Sequence, residues 1–362
     1  MLQIHELVAG TESHRAELGP KGAAQDGLHE TALWTLLEDV AGTRRATVLL
    51  TAVAVPQELK REDDGRVTRA ELAMALNLLL VEDVMKRVPM AQAYVRDSVR
   101  AGRQLTFDHG ALRTVAAPCG ALPMGEEAIT RVLRPLGYAV AGVYPLDRLG
   151  MTGRAYAHQD LPEGIPQFFV SELHPERFSE AFQAAVQNVV SSSVDPLPTW
   201  ALNLLEVLGA EGELPLTQAV RLLPNLVACF DRQHDEPSLA DYETLLAESK
   251  EMAWIATEGN AFNHATDRVA NVAAVAQGQK DLGRPMKEQL EVGSEGRVIQ
   301  TAFRAAMVER LFVTHAGNLE AKVVPGSFHE FITRHELSAG QLDLRFDSSN
   351  AQAIFKMTAV EC

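Results

Sequence analysis

The sequence predicts an α+β protein in which two strand-rich halves flank a helical insertion, behind a helical N-terminal region. Three observations predict it. Apolar residues recur at helical spacing before about residue 95 and again from His174 to Thr257; residues 105–115 alternate as a strand does; and a helix and three short strands follow that first strand. The expected boundaries are 1–98 for the N-terminal region, 99–173 for the first half, 174–258 for the insertion and 259–362 for the second half, with 99–362 forming one compact unit.

In the N-terminal region Leu33, Leu36, Leu37 and Val40 form one apolar stripe and Met74, Leu78 and Val84 belong to another, with a polar loop at Lys60–Gly65 between them. No catalytic constellation is visible there, which points to packing or oligomerisation. Alternation over the next strand places Leu105, Phe107, His109, Ala111, Arg113 and Val115 on one face. A helix carrying Ile129, Val132, Leu133 and Leu136 follows and stops at Gly137. Strands are then expected at Tyr138–Tyr144, Ala155–His158 and Gln167–Ser171. In the insertion, Phe178, Ala181, Phe182 and Val186 share one helical face and Ala219, Leu222, Leu226 and Phe230 another. The second half offers strands at Ala261–Ala270, Val298–Arg304, Val308–Val313 and Phe328–Thr333. The βαβββ order is that of the vicinal-oxygen-chelate fold, whose modules build a curved mixed sheet around a metal site.

Composition narrows the function. Apolar residues make up 46% and charged residues 22% of 362, an ordinary globular balance. A net charge of −15 disfavours nucleic acid and anionic membrane surfaces, both of which select a basic face. Cys119, Cys229 and Cys362 are odd in number and form no CxxC pair, so neither a disulfide framework nor a thiolate zinc site is expected. The N-terminus lacks a basic-then-apolar leader, and the longest apolar run, Ala46 to Pro56, is about half a membrane span. A cytoplasmic location is the expectation.

Three strands repeat one local pattern: His109 precedes Arg113, His264 precedes Arg268, and Glu330 precedes Arg334, each by four residues. In a strand these positions share a face about 13 Å apart. Each candidate ligand is thus followed by an arginine able to grip a carboxylate through a bidentate pair. Two histidines and one carboxylate suit an Fe(II) site with three open positions, and zinc accepts the same set. Other readings stay open at this point. Glu320 or Glu309 could replace Glu330, the arginines could be surface pairs, and a lone strand histidine is more often structural. His158, His174, His234, His315, His329 and His335 read as structural or solvated, with His234 in Arg232-Gln233-His234-Asp235 the one retained for attention.

The segments Phe107-Asp108-His109-Gly110-Ala111-Leu112-Arg113-Thr114-Val115, Phe262-Asn263-His264-Ala265-Thr266-Asp267-Arg268 and Pro325-Gly326-Ser327-Phe328-His329-Glu330-Phe331 resemble motifs of the 2-oxoadipate dioxygenase/decarboxylase (hydroxyglutarate synthase) family. Phe168-Phe169-Val170-Ser171-Glu172-Leu173 and Gln300-Thr301-Ala302-Phe303 are weaker likenesses, and the resemblance runs from about Val88 to Arg334. It implies a vicinal-oxygen-chelate-like fold holding one iron through His109, His264 and Glu330. It also implies a reaction between dioxygen and a small 2-oxo dicarboxylic acid, 2-oxoadipate giving 2-hydroxyglutarate and carbon dioxide in lysine catabolism. Arg113 matches a substrate-binding and catalytic arginine of the family. Arg268 and Arg334 align with further arginines expected to bind substrate, and Gln300 is expected to support the metal site or substrate. Fe(II) is the expected cofactor, with zinc, nickel or manganese as alternative occupants. Because related folds often pair, a homodimer is compatible with the resemblance.

The chain departs from the family in ending 32 residues after Glu330, where the characterised bacterial enzymes continue, and in its longer N-terminal region. That leaves 2-oxoadipate specificity open. Two other functions compete with the first: a glyoxalase-like Zn or Ni isomerase or hydrolase, and a metal-free protein that binds a small acid.

Overall fold

A computed structural model describes residues 29–338 and 340–346. Among the described residues of the N-terminal region are four helices, α1 (Ala32–Ala41), α2 (Thr43–Ala52), α3 (Arg69–Arg87) and α4 (Pro89–Arg100), with a short strand β1 (Arg66–Thr68) before α3. The Thr68 hydroxyl accepts from the Glu71 N–H while the Glu71 carboxylate accepts from the Thr68 N–H, a capping box that satisfies donors left over by the first turn. Helix α3 is apolar almost all round and correspondingly buried almost all round. Pro89 opens α4, where a missing N–H costs nothing.

The first half runs β2 (Phe107–Val115), α5 (Glu127–Leu133), β3 (Tyr138–Leu146), β4 (Met151–His158) and β5 (Gln167–Leu173). The insertion contributes α6 (Glu180–Val190), α7 (Thr199–Glu211), β6 (Glu213–Pro215), α8 (Leu216–Ala228), α9 (Leu239–Glu248) and α10 (Lys250–Glu258). Strand β6 pairs with β1, which ties the insertion to the N-terminal region. The second half runs β7 (His264–Arg268), α11 (Val272–Asp281), β8 (Glu291–Val292), β9 (Val298–Ala302), a hairpin of β10 (Met307–Val313) and β11 (Leu319–Pro325), then β12 (Phe328–Arg334). A last small hairpin joins β13 (Glu336–Ser338) to β14 (Gln341–Leu342). Among the described residues no helix is long and apolar enough to cross a membrane.

The main sheet is eight-stranded and mixed, in the order β3-β4-β5-β2-β7-β12-β9-β8. In each half the fourth strand lies parallel beside the first, β5 on β2 and β12 on β7, and the halves meet where β2 and β7 pair antiparallel. The strand expected at Val308–Val313 exists as β10, but it pairs with β11 in a separate ribbon outside this sheet.

One face of the sheet packs on α3, α4, α5 and α11 in a large core that includes Leu78, Val95, Ile129, Ala276 and Phe331. The other face carries the candidate ligands and is filled at one end by a second core, with Ala111, Phe169, Phe182, Leu245 and Trp254. Leu105 and Phe107 belong to the first core, whereas Ala111 and Val115 belong to the second. This corrects the single face expected for residues 105–115. Asp108 is an extra residue between the pairs Phe107–Asp267 and His109–Thr266, and this β-bulge switches the alternation from that point on.

Candidate metal centre

His109, His264 and Glu330 come from three adjacent strands, β2, β7 and β12. Thr266 is the register partner of both His109 and Glu330, and its neighbour two positions back is His264. All these side chains therefore project from one face. The three ligand atoms lie within 4.8 Å of one another. Glu330 Oε2 is 3.4 Å from His109 Nε2 and 3.5 Å from His264 Nε2. The Thr266 hydroxyl donates to Glu330 Oε2 at 2.7 Å and lies 3.1 Å from His109 Nε2. His109, His264 and Glu330 are respectively 2%, 4% and 0% exposed, so the cluster is shut off from bulk water.

A buried carboxylate ordinarily finds a partner for each oxygen, yet Glu330 Oε1 has none among the described residues. A cation at this point would resolve that deficit, and two imidazoles with one carboxylate form a donor set suited to a divalent metal. The cluster could hold a metal ion. Burial opposes ionisation of Glu330, but its hydrogen bond with His109, the His264 ring and Thr266 outweigh it and hold the carboxyl below its usual range. The two histidines differ. Burial pushes His264 down to about 3, while for His109 the bonds to Asp108 and Glu330 overcome burial and raise it.

That difference comes from Asp108. Its bulge turns the carboxylate towards the ligands, where Oδ1 lies 2.8 Å from His109 Nδ1. A hydrogen bond there fixes the ring tautomer that leaves Nε2 facing Glu330. Arg334 holds the other side of Asp108 through Nε and Nη2, at 2.8–3.0 Å. Burial alone would raise Asp108, but the Arg334 charge and the His109 bond carry it well below the carboxylate range.

The expected arginines thus fall at two ends of the site. Because β7 and β12 run opposite to β2, the residue four beyond His109 lies at one end, and those four beyond His264 and Glu330 lie at the other. Arg113 is 1% exposed, with its guanidinium carbon 4.9 Å over the Trp254 ring of α10. Burial pushes it down to about 10, against the opposing charge of Glu251, so it stays protonated at neutral pH. Arg268 is half-buried, with Nε 3.9 Å from Asp108 Oδ2 and Nη2 donating to the Glu163 carbonyl at 3.1 Å. Arg334 is committed to Asp108 and, through Nη1, to the carbonyls of Asp343 and Arg345. Gln300, on β9, donates to Glu291 at 3.1 Å, and Glu291 is paired with Lys287.

The other histidines sit away from the cluster. The His234 ring lies 3.1 Å from the Ala256 carbonyl, and burial drives its pKa down to about 4. His158 accepts from two backbone N–H groups, and His174 bonds Thr152. His329 projects to the opposite face among Tyr94, Phe303 and Phe331. His315 and His335 are exposed. Glu309 and Glu320 are exposed on the separate ribbon, which leaves Glu330 as the carboxylate of the cluster.

Asp108, Thr266 and Phe169 were not singled out by the sequence. The motif Phe107-Asp108-His109 held the signal for the first, an acid beside a ligand candidate, but strand alternation sent it to the wrong face. Phe169 stands where the plan of the sheet would put a fourth ligand: Gln167 pairs with His109 as Phe328 pairs with His264, so Phe169 corresponds to Glu330.

The profile of the 2-oxoadipate dioxygenase/decarboxylase family matches residues 71–357. No curated protein matches the chain. Among solved structures, a glyoxalase-superfamily protein from Ralstonia eutropha JMP134 is 55% identical, with 88% of this chain and 98% of that one covered and a TM-score of 0.85. Hydroxyglutarate synthase from Oryza sativa, solved with 2-oxoadipate, is 18% identical over 85% of this chain and 95% of that one, with a TM-score of 0.61. The same enzyme from Pseudomonas putida is 19% identical over 82% and 75%, with a TM-score of 0.54, and shares the fold.

Proposed function

This chain belongs to the 2-oxoadipate dioxygenase/decarboxylase family, and from that premise we propose that it is an Fe(II)-dependent dioxygenase that decarboxylates a 2-oxo dicarboxylic acid. The reaction, in its 2-oxoadipate form, combines the acid with dioxygen to give 2-hydroxyglutarate and carbon dioxide. Atoms and electrons balance without an external reductant, because loss of the carboxylate supplies the electrons. The observation that carries this reading is the buried His109–His264–Glu330 cluster with Arg113 on the same face of β2. Bound there, iron supplies a redox centre and a template on which the 2-oxo acid and dioxygen meet.

The residues of the chain do the rest. Asp108 keeps the proton of His109 on Nδ1, and Thr266 aims Glu330 Oε2. Arg113, protonated within a dry wall that includes Trp254, pairs with a carboxylate of the substrate and orients it. Gln300 and its partners Glu291 and Lys287 form a polar flank for the substrate chain. We assign Arg334 to positioning Asp108 rather than to the substrate, since its donors are already engaged. Arg268, held less closely by Asp108 at 3.9 Å and by the Glu163 carbonyl, is the arginine we assign to an incoming anion at the outer end. The protein acts in the cytoplasm on a small acid, a reading that its net charge of −15 supports by disfavouring nucleic acid and anionic membrane surfaces.

Anaerobic loading with Fe(II), followed by oxygen uptake with 2-oxoadipate and a panel of shorter and longer 2-oxo acids, tests the proposal. Uptake that depends on the acid, and that disappears with Zn(II) or in His264→Ala, is the expected result. Turnover of a substrate without oxygen in Zn(II)- or Ni(II)-loaded protein would favour the redox-silent isomerase or hydrolase instead, a reading that the glyoxalase-superfamily relative keeps in play.

A further inference from the structure

The outer end of the metal site is crossed by the chain segment Gln341–Phe346. Its last residue reaches the ligands. The Phe346 ring stands edge-on to His109 at 4.8 Å, tilted against Phe169 at 4.8 Å, and 5.1 Å below the Arg334 guanidinium carbon. Main-chain contacts seat the segment: Gln167 donates to the Leu344 carbonyl at 3.1 Å, and Arg334 donates to the carbonyls of Asp343 and Arg345. The Phe346 N–H donates to the Tyr144 hydroxyl at 3.0 Å. On the outside, Arg345 pairs with Glu295 at 3.1 Å, and Arg297 lies 3.9 Å from Asp343. A cleft of about 320 Å³ opens there, lined by Tyr144, Glu295, Arg297, Asp343, Arg345 and Phe346.

A ligand of the metal has to pass some wall, because all three donor residues are nearly sealed. The opposite face is closed by the main core, and the inner end by buried Trp254 and its neighbours. Moving either would expose packed apolar surface. The outer segment is different. Inside, one ring, Phe346, and four hydrogen bonds seat it, and its outer latch is the Arg345–Glu295 pair, 56% and 55% exposed; such a pair is weak and screened by salt.

We propose that Gln341–Phe346 is a strap that gates the metal site, with Phe346 as its plug and Arg345–Glu295 as its outer latch. The 2-oxo acid enters when the strap lifts, and its chain takes the space that the Phe346 ring fills when the strap is down. Arg334 gives up two carbonyls in this motion but keeps Asp108, so His109 stays oriented while the site is open. The identity of the entering acid rests on the function proposed above, but the gate itself applies to any ligand of the metal.

The test uses Co(II)-loaded full-length protein without oxygen, whose visible spectrum reports ligand exchange. Two rates are followed by stopped flow: 2-oxoadipate binding and Co(II) loss to EDTA. Gating predicts a binding rate that levels off as 2-oxoadipate rises. It also predicts that Arg345→Ala or added salt raises the plateau about 2–5-fold, and that Phe346→Ala raises it further. Arg345→Ala, changed at an exposed position, remains informative if Phe346→Ala folds poorly. If 2-oxoadipate leaves the spectrum unchanged but both variants speed Co(II) loss, the gate stands and the substrate reading falls. If 2-oxoadipate binds at a rate linear in concentration and neither variant alters either rate, the strap is no gate, while the substrate reading survives.

Discussion

In the first half of the sheet a strand, a helix and three strands bring β5 back parallel beside β2; in the second half the same order, interrupted by the β10–β11 ribbon, brings β12 back beside β7. The two halves do not share the work evenly. The second gives His264 and Glu330, while the first gives His109 and places Phe169 where its own carboxylate would stand. The support is uneven in the opposite sense. His109 is held through Nδ1 by Asp108 and, behind it, Arg334, whereas His264 Nδ1 has no hydrogen-bond partner among the described residues and its ring stacks on Phe328 at 4.8 Å. A repeated architecture therefore fixes where ligands can stand, and single residues decide which positions bind and how firmly. Phe169 in place of a fourth donor keeps the cluster to three donor side chains, which suits the proposed binding of substrate and dioxygen at a metal there.

Breaking the ligand asymmetry should have the largest effect. Glu330→Ala is expected to abolish Fe(II) binding in equilibrium dialysis, whereas Phe169→Ala, the matching change in the other half, leaves metal content near wild type. If Phe169→Ala also lost the metal, the two positions would not differ as described. Next comes the end of the site set by β2. Arg113→Gln should lower kcat/KM for the 2-oxo acid by roughly 10- to 100-fold, the scale of one charged hydrogen-bonded contact, with metal content retained. Asp108→Asn sharpens the contrast in support: Fe(II) affinity should fall by about 10- to 100-fold, measured by competition with a chelator. An unchanged affinity would show that Asp108 does not hold the ligand.

The smallest effect concerns a second buried aspartate, Asp267 on β7, facing away from the ligands. It accepts from the Tyr94 hydroxyl at 2.6 Å and the Thr106 N–H at 2.8 Å. Unlike Asp108 it has no guanidinium hydrogen-bonded to it among the described residues, and burial, joined by the Asp108 charge and opposed by those bonds and the Arg268 charge, pushes it up to about 7. A carboxyl raised in the folded state stabilises it most below the unfolded pKa, about 4, and that stability declines as pH rises to about 7. Urea denaturation across this range should show that decline, and Asp267→Asn should remove it.

Much of the fold was legible because β2, β5, β7 and β12 carry their own periodicity and the βαβββ order is local. The ribbon β10–β11 was only half visible, since alternation marks a strand without naming its partner. The cluster that could hold a metal was readable through the motifs around His109, His264 and Glu330. Its surroundings were not. The bulge at Asp108 is one extra residue that alternation cannot foresee, and it moved Leu105 and Phe107 to the other face. The repeated ligand-to-arginine spacing hid a reversal of strand direction, which sends Arg113 to one end and Arg334 to the other. Phe346 touches His109 across more than two hundred residues of chain, a contact with no local signature.

The most direct test of the central claim is the stoichiometry of a single anaerobic-to-aerobic turnover with carboxyl-labelled 2-oxoadipate and Fe(II)-loaded protein. The account predicts one labelled carbon dioxide released for each dioxygen consumed, with none released before oxygen is admitted. Release without oxygen, or oxygen consumed without labelled carbon dioxide, would contradict it.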